Sequence, residues 1–213
     1  MTVSILFEDN HLLILDKPAG LSTQPSLEHK DSLETRAKIY IKKTYHKEGE
    51  VFLHAVHRLD KDVSGIVIFA KTSKALSRMN DQMRKRDFIK IYRAQVHGRM
   101  EGREQRLCHF LKKGEYRTHL AKESDPNAQE AILTYTVIQS DKESSCLEIQ
   151  LESGRYHQIR AQLSAIGHPI LGDSKYGSSL EYPNQHIKLQ HIRVEFVHPV
   201  TKVQMIIKSV LKC

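Results

Sequence analysis

Asp60 stands in the run His57-Arg58-Leu59-Asp60-Lys61-Asp62-Val63-Ser64-Gly65, with Arg58 two residues before it and Lys61 directly after it. Two other residues have types that could share chemistry with such a carboxylate: Tyr92 and Arg160. A carboxylate that acts as a nucleophile or base must stay ionised in a dry site, and a neighbouring guanidinium favours the ionised form. Pairing also offsets the desolvation of both charges. Spacing alone does not bring the three together, and the local pattern around Asp60 equally fits a loop closed by a surface salt bridge.

The elements that must position these residues are readable. Ile66 to Ala70 is a short, β-branched apolar run, which reads as a strand buried on both faces. The charged run before it becomes a loop at the mouth of a sheet, where a rigid scaffold commonly presents binding and catalytic groups. Tyr92 lies in the alternating run Ile89 to Val96, sharing a face with Ala94 and Val96. Arg160 lies in a helix expected from Tyr156 to Ile166, whose stripe is Tyr156, Ile159, Leu163 and Ile166 and which Gly167 stops. At about 100° from Ile159, Arg160 is at the edge of that stripe. There it is half-buried and needs an anion, either substrate phosphate or a carboxylate.

The remaining chain supplies a frame. Val3 to Phe7 and His11 to Leu15 flank Glu8-Asp9-Asn10 as a hairpin, ended by Lys17-Pro18-Ala19-Gly20. A polar loop with Glu28 and His29 leads to Ser32, which caps a helix over Leu33 to Tyr45. Thr72 or Ser73 caps a second helix carrying Ala75, Leu76, Met79 and Met83, the methionines reading as core. Arg99 to Asn127 is dense in charge, including Arg103, Arg106, Lys112, Lys113, Arg117 and Lys122. It shows only a short strand at Leu107 to Leu111, with loops and an irregular hairpin around it. Ala131 to Ile138 and Cys146 to Glu152 read as antiparallel neighbours with one wet face. A loop with Tyr182 and Pro183 precedes strands at Leu189 to Val197 and Val203 to Ile207. No repeat or linker divides the 213 residues, so one domain over 1–213 is expected, of α+β class. Its sheet is mixed and mainly antiparallel, with flanking helices and a central cleft.

Composition narrows the partners. The chain has 33 Lys and Arg against 25 Asp and Glu, a net charge of +8, and a pI near 9.3, which suits a polyanion such as nucleic acid. Cys108, Cys146 and Cys213 are far apart and form no C-x-x-C pair, as in a reducing compartment. No signal peptide or apolar span opens the sequence, so a cytoplasmic protein without membrane attachment is expected. His54 and His57 are spaced like ligands but lack a third and fourth partner, so no metal is expected. Neither a Gly-rich phosphate loop nor a G-x-S-x-G elbow is present.

The ordered motifs resemble those of the RluA-type pseudouridine synthases. His57-Arg58-Leu59-Asp60 with Ser64-Gly65 is similar to their catalytic motif, and Lys90-Ile91-Tyr92-Arg93-Ala94-Gln95-Val96-His97-Gly98 to their second. Ser153-Gly154-Arg155-Tyr156-His157-Gln158-Ile159-Arg160, with Gly167-His168-Pro169-Ile170-Leu171-Gly172-Asp173 and Tyr176-Gly177, resembles the third. Leu13-Ile14-Leu15-Asp16-Lys17-Pro18-Ala19-Gly20-Leu21 resembles the family's opening.

The resemblance implies an isomerase of uridine in ribosomal or transfer RNA, with RNA as partner, no cofactor, and a monomer. It implies Asp60 as the catalytic aspartate, Tyr92 stacked on the target uracil and helping to remove the final proton, and Arg160 paired with Asp60. Arg58 would enter the RNA stack or hold the displaced nucleotide. His57 and Arg155, inside the motifs, and Leu189 and His191, in a Leu-His segment near the pocket, would contact the substrate. Val63, Tyr156 and Gln190 depart from the family's usual residues and bear on substrate preference. A front S4-type RNA-binding domain is not seen in the sequence, so the catalytic domain is expected to find RNA with its own surface. A silent RNA-binding module and a hydrolase using Asp60 are the rival readings.

Overall fold

The computed structural model describes residues 3–27, 30–102, 104–180 and 186–211. Glu28, His29, Arg103, Tyr182, Pro183 and Cys213, named above, lie outside the described residues. The chain divides into two compact units, Met1–Phe88 with His191–Lys212, and Ile89–Gln190.

The first unit begins with the expected hairpin, β1 (Ser4–Glu8) and β2 (Leu12–Lys17), paired antiparallel. Asp9 makes the turn: its Oδ1 accepts the N–H groups of His11 at 2.8 Å and Leu12 at 2.7 Å. Helix α1 (Leu33–Thr44) follows, its N-terminus capped by the Ser32 hydroxyl on the Thr35 N–H. Then come β3 (His54–Ala55), β4 (Ser64–Ala70) and α2 (Ser73–Lys85), with Thr72 as cap. Strand β4 is antiparallel to β2.

The second unit holds β5 (Ile89–His97), β6 (Glu104–Lys113), β7 (Thr118–Ala121), β8 (Gln129–Ser140), β9 (Ser144–Leu151) and α3 (Gln158–Ala165). Its strands run in the order β5-β9-β8-β6-β7, each pair antiparallel. The chain then returns through β10 (Leu189–Val197), whose residues from His191 belong to the first unit, and β11 (Gln204–Lys208). In the first unit the strand order is β1-β2-β4-β10, with β11 on β10. The class is α+β, as expected.

Continuous burial of β2 and near-continuous burial of β4 explain their unalternating apolar letters. Leu12, Ile14, Ile66, Ile68, Met79, Val194 and Phe196 form one core. Each such side chain contributes about 1.5–3 kcal/mol on burial. Met79 and Met83 pack here, as expected. In the second unit Leu147, Ile149 and Leu151 are buried and Gln150 is exposed, which gives β9 its one wet face.

Two elements differ from the sequence reading. Strand β6 is ten residues rather than five. Only Leu107 and Leu111 are fully buried along it, so charges on the wet positions mask the two-residue period. Helix α3 starts at Gln158, two residues later than expected, because His157 takes a left-handed φ of 52°. The Gln158 Oε1 accepts the Ser153 hydroxyl at 2.8 Å and the Arg155 N–H at 3.0 Å, which ties the approach to the helix. Tyr156 therefore stands outside the apolar stripe and is 40% exposed.

Candidate functional site

The Asp60 loop is held from below by side chains of its own unit. Thr23 Oγ1 accepts the Leu59 N–H at 3.1 Å and donates to the Leu59 carbonyl at 2.9 Å, a two-way clamp one residue before Asp60. The Val63 N–H closes a turn onto the Asp60 carbonyl at 3.2 Å. One residue after Asp60, the Lys61 carbonyl accepts the Gly20 N–H at 2.8 Å and the Lys17 ammonium at 3.0 Å.

Lys17 is the side chain that the sequence reading missed. It ends β2, is fully buried, and also donates to the carbonyls of Pro18 at 3.0 Å and Leu21 at 2.6 Å. Three donors thus meet three acceptors. Burial pulls its pKa from 10.5 down to about 7, and the negative charges of Asp60 and Asp62 pull it back up. The sequence marked it only as part of Lys17-Pro18-Ala19-Gly20, the end of a hairpin, and of the stretch that resembles the family's opening.

Around Asp60 the expected partners are placed as follows. Asp60 is half-buried and Arg58 is exposed. His57 is half-buried, its ring 5.4 Å from that of His191 in an edge-on contact. His191 is fully buried and donates from Nδ1 to the Ile66 carbonyl at 2.8 Å, which anchors β10 to β4. Gly65 lies on the other side of that contact. A Cβ there would fall 2.2 Å from the His191 carbonyl oxygen, and its φ is +111°. Val63 is 2% exposed, and its apolar side chain brings no buried polar group that needs a partner.

In the second unit, Tyr92 is 7% exposed on β5, opposite Ile149 of β9. Arg160 sits in the first turn of α3 and is 2% exposed, deeper than expected. Its carboxylate neighbour here is Asp173: Nε donates to Oδ2 at 2.7 Å and Nη2 to Oδ1 at 2.8 Å. Such a fork fixes the guanidinium plane, and removing one partner of a buried pair typically costs about 3–5 kcal/mol. The Arg160 carbon Cζ lies 5.1 Å over the Tyr176 ring. The Tyr176 hydroxyl accepts the Thr118 N–H at 2.8 Å and shares a hydrogen bond with His157 Nδ1 at 3.0 Å. Burial raises the Tyr176 pKa. Arg155 donates from Nε to the Glu130 carbonyl at 3.0 Å, while Leu189 and Gln190 are buried.

Among the described residues, no three His, Cys, Asp or Glu side chains gather to hold a metal ion. No described helix is long and apolar enough to cross a membrane.

A family model described as RNA pseudouridylate synthase matches residues 11–165, a stretch that includes Asp60, Tyr92 and Arg160. An uncharacterized RNA pseudouridine synthase of Bacillus subtilis (strain 168), YhcT, is 36% identical over 203 residues, covering 93% of this chain and 65% of that protein. The ribosomal large subunit pseudouridine synthase D of Zymomonas mobilis is 32% identical over 215 residues, covering 95% of this chain and 67% of that protein. The chain thus spans about two thirds of the length of these relatives. Among solved structures, human RNA pseudouridylate synthase domain containing 4 superposes with a TM-score of 0.80 at 22% identity, over 98% of this chain and 88% of that one. The human domain containing 1 protein gives 0.74 at 17%, over 100% and 83%. These two likenesses speak to the fold.

Proposed function

The chain belongs to the RNA pseudouridylate synthase family, and we propose that it isomerises uridine in RNA to pseudouridine. The observation that carries this reading is the family match across residues 11–165, with the three motifs present in order. Ribosomal RNA is the favoured substrate, because relatives matched over nearly all of this chain are named for the large ribosomal subunit. Transfer RNA is the second substrate class. A cytoplasmic place of action fits either RNA.

The reaction replaces the glycosidic C–N bond with a C–C bond, so no atom is gained or lost overall. Asp60 carries the catalytic carboxylate, attacking the ribose or taking a ribose proton. Both routes require it ionised. Arg160 is the guanidinium that pairs with this carboxylate, its plane held by Asp173. The detached uracil turns and rejoins through carbon, while Tyr92 stacks on it and helps remove the hydrogen from that carbon. Extruding the nucleotide costs roughly a few kcal/mol, and stacking on an aromatic ring offsets about 1–3 kcal/mol of it. Exposed Arg58 enters the RNA stack or holds the displaced nucleotide, and His57, Arg155, Leu189 and His191 shape the surroundings.

The test is a pseudouridine map of cellular RNA with and without this protein, and with Asp60→Ala in its place. Sites that vanish without the protein and stay absent with Asp60→Ala support the reading. Full modification by Asp60→Ala refutes the aspartate's role, and an unchanged map without the protein refutes the activity. Tyr92→Phe keeps the ring and loses the hydroxyl, so it is expected to bind RNA normally and lose most product in a single-turnover assay.

A further inference from the structure

Next to the Asp60 loop, within the first unit, lies a cavity of about 530 Å3 whose lining includes Ala19, Ser22, Lys30, Asp31, Arg36 and Lys61. Its size falls in the range of about 300–1,000 Å3 typical of small-ligand sites. Among the described lining residues are three cations, Lys30, Arg36 and Lys61, and one carboxylate, Asp31. Asp31 is engaged by Arg36 through two hydrogen bonds, Nε to Oδ1 at 2.9 Å and Nη2 to Oδ2 at 2.6 Å. Lys30 and Lys61 are exposed, and neither charge is matched by a second carboxylate in the lining.

The wall of this cavity is built rather than loose. The carbonyls of Pro18, Leu21 and Lys61 all point to the buried Lys17 ammonium. No peptide bond among the described residues is cis, and in a trans peptide the N–H points opposite to the carbonyl. The N–H groups of Ala19 and Ser22, both lining residues, are therefore directed to the side away from Lys17. The Leu33 N–H on the Ser22 carbonyl, at 2.9 Å, ties the same wall to the start of α1. Two exposed ammonium groups beside a carboxylate already held by Arg36 give the described lining a net positive charge, which suits an anion.

We propose, on the reading that the chain acts on RNA, that this cavity holds a ribose-phosphate unit adjoining the target uridine, with its phosphate between Lys30 and Lys61. Lys61 directly follows Asp60, so a phosphate seated there fixes the strand one step from the carboxylate. The site reads backbone and not base, and it contributes register rather than sequence preference.

The experiment measures binding of a short fluorescein-labelled oligouridylate by anisotropy across a salt series, for the parent, Lys30→Glu, Asp31→Asn and Lys142→Glu. Lys142 is exposed in the turn after β8, in the other unit, and controls for net charge. Lys30→Glu is expected to weaken binding at least about fivefold and to flatten the log–log salt slope by about 0.7, the value of one phosphate contact on a single strand. Asp31→Asn is expected to tighten binding, because it removes the one carboxylate among the described lining residues. Loss in Lys30→Glu no larger than in Lys142→Glu, no gain in Asp31→Asn, or a parent that does not bind the oligouridylate overturns the proposal. Pseudouridine mapping separates this from the wider reading. Product formed by the parent, with Lys30→Glu matching Lys142→Glu, removes the cavity and keeps the enzyme. Absence of product with the parent removes both.

Discussion

Lys17 shows how a single buried charge can set a loop. Its ammonium meets three carbonyls on either side of the turn, one of them directly after Asp60. Because its pKa falls to about 7 in the folded protein, the unfolded chain holds more protons on this group between about pH 7 and 10.4. Stability rises with pH wherever the unfolded state binds more protons. The cost of burying the charge is thus fully present below pH 7 and is relieved as the pH rises above it. Urea unfolding of the parent and of Lys17→Met from pH 6.5 to 9 should show the parent gaining on the variant, by at most about 1.4 kcal/mol per pH unit. A stability difference that is flat or shrinks with pH would contradict this titration. Asp60, Tyr92 and Arg160 could be singled out as candidates because they sit in motifs that resemble the family's. The burial of Lys17 was not legible, since a lysine before Pro18 reads only as the end of a hairpin. Nor was Asp173 identifiable as Arg160's neighbour, because thirteen positions and a turn separate them.

At the level of elements, the pairing of β4 with β10 depends on the absence of a side chain. Gly65 stands opposite Lys17 across β2 and β4, and its other side meets the His191 backbone. Alanine there is strained twice, by the left-handed φ and by contact with backbone atoms that cannot rotate away. Left-handed strain costs about 1–2 kcal/mol and overpacking about 1–3 kcal/mol. Gly65→Ala should therefore lower stability by about 3 kcal/mol, seen as a lower urea midpoint with unchanged slope. A loss under about 1 kcal/mol would mean that β10 yields easily at this point. Both capped helices and most strands were legible because caps and period agreed with burial. The full length of β6 and the strand β7 were not, because their ladder is held by backbone pairing with β8 while most of their side chains face water. The start of α3 was missed for a different reason: a left-handed His157 and a Gln158 side-chain bond override the helical pattern.

Over the whole molecule, the net charge of +8 must act on a partner that is itself a polyanion if the proposed chemistry is right. Neutralising a phosphate releases its condensed counterions, so affinity falls as a power of salt concentration. Each contact on single-stranded RNA adds about −0.7 to the log–log slope. Cations spread over a surface without contacting phosphate give only weak, screened attraction, since the Debye length at 0.15 M is about 8 Å. The two cases separate cleanly in one measurement. Binding of the parent to its RNA, titrated from low to physiological salt, should give a slope of about −2 or steeper, which corresponds to three or more contacts. Asp60→Ala should show the same slope, because the aspartate takes part in the chemistry and holds no phosphate. A flat response would leave the basic surface without a role in RNA capture. A shallower slope in Asp60→Ala would mean that the carboxylate also orders the cations beside it, Arg58 and Lys61.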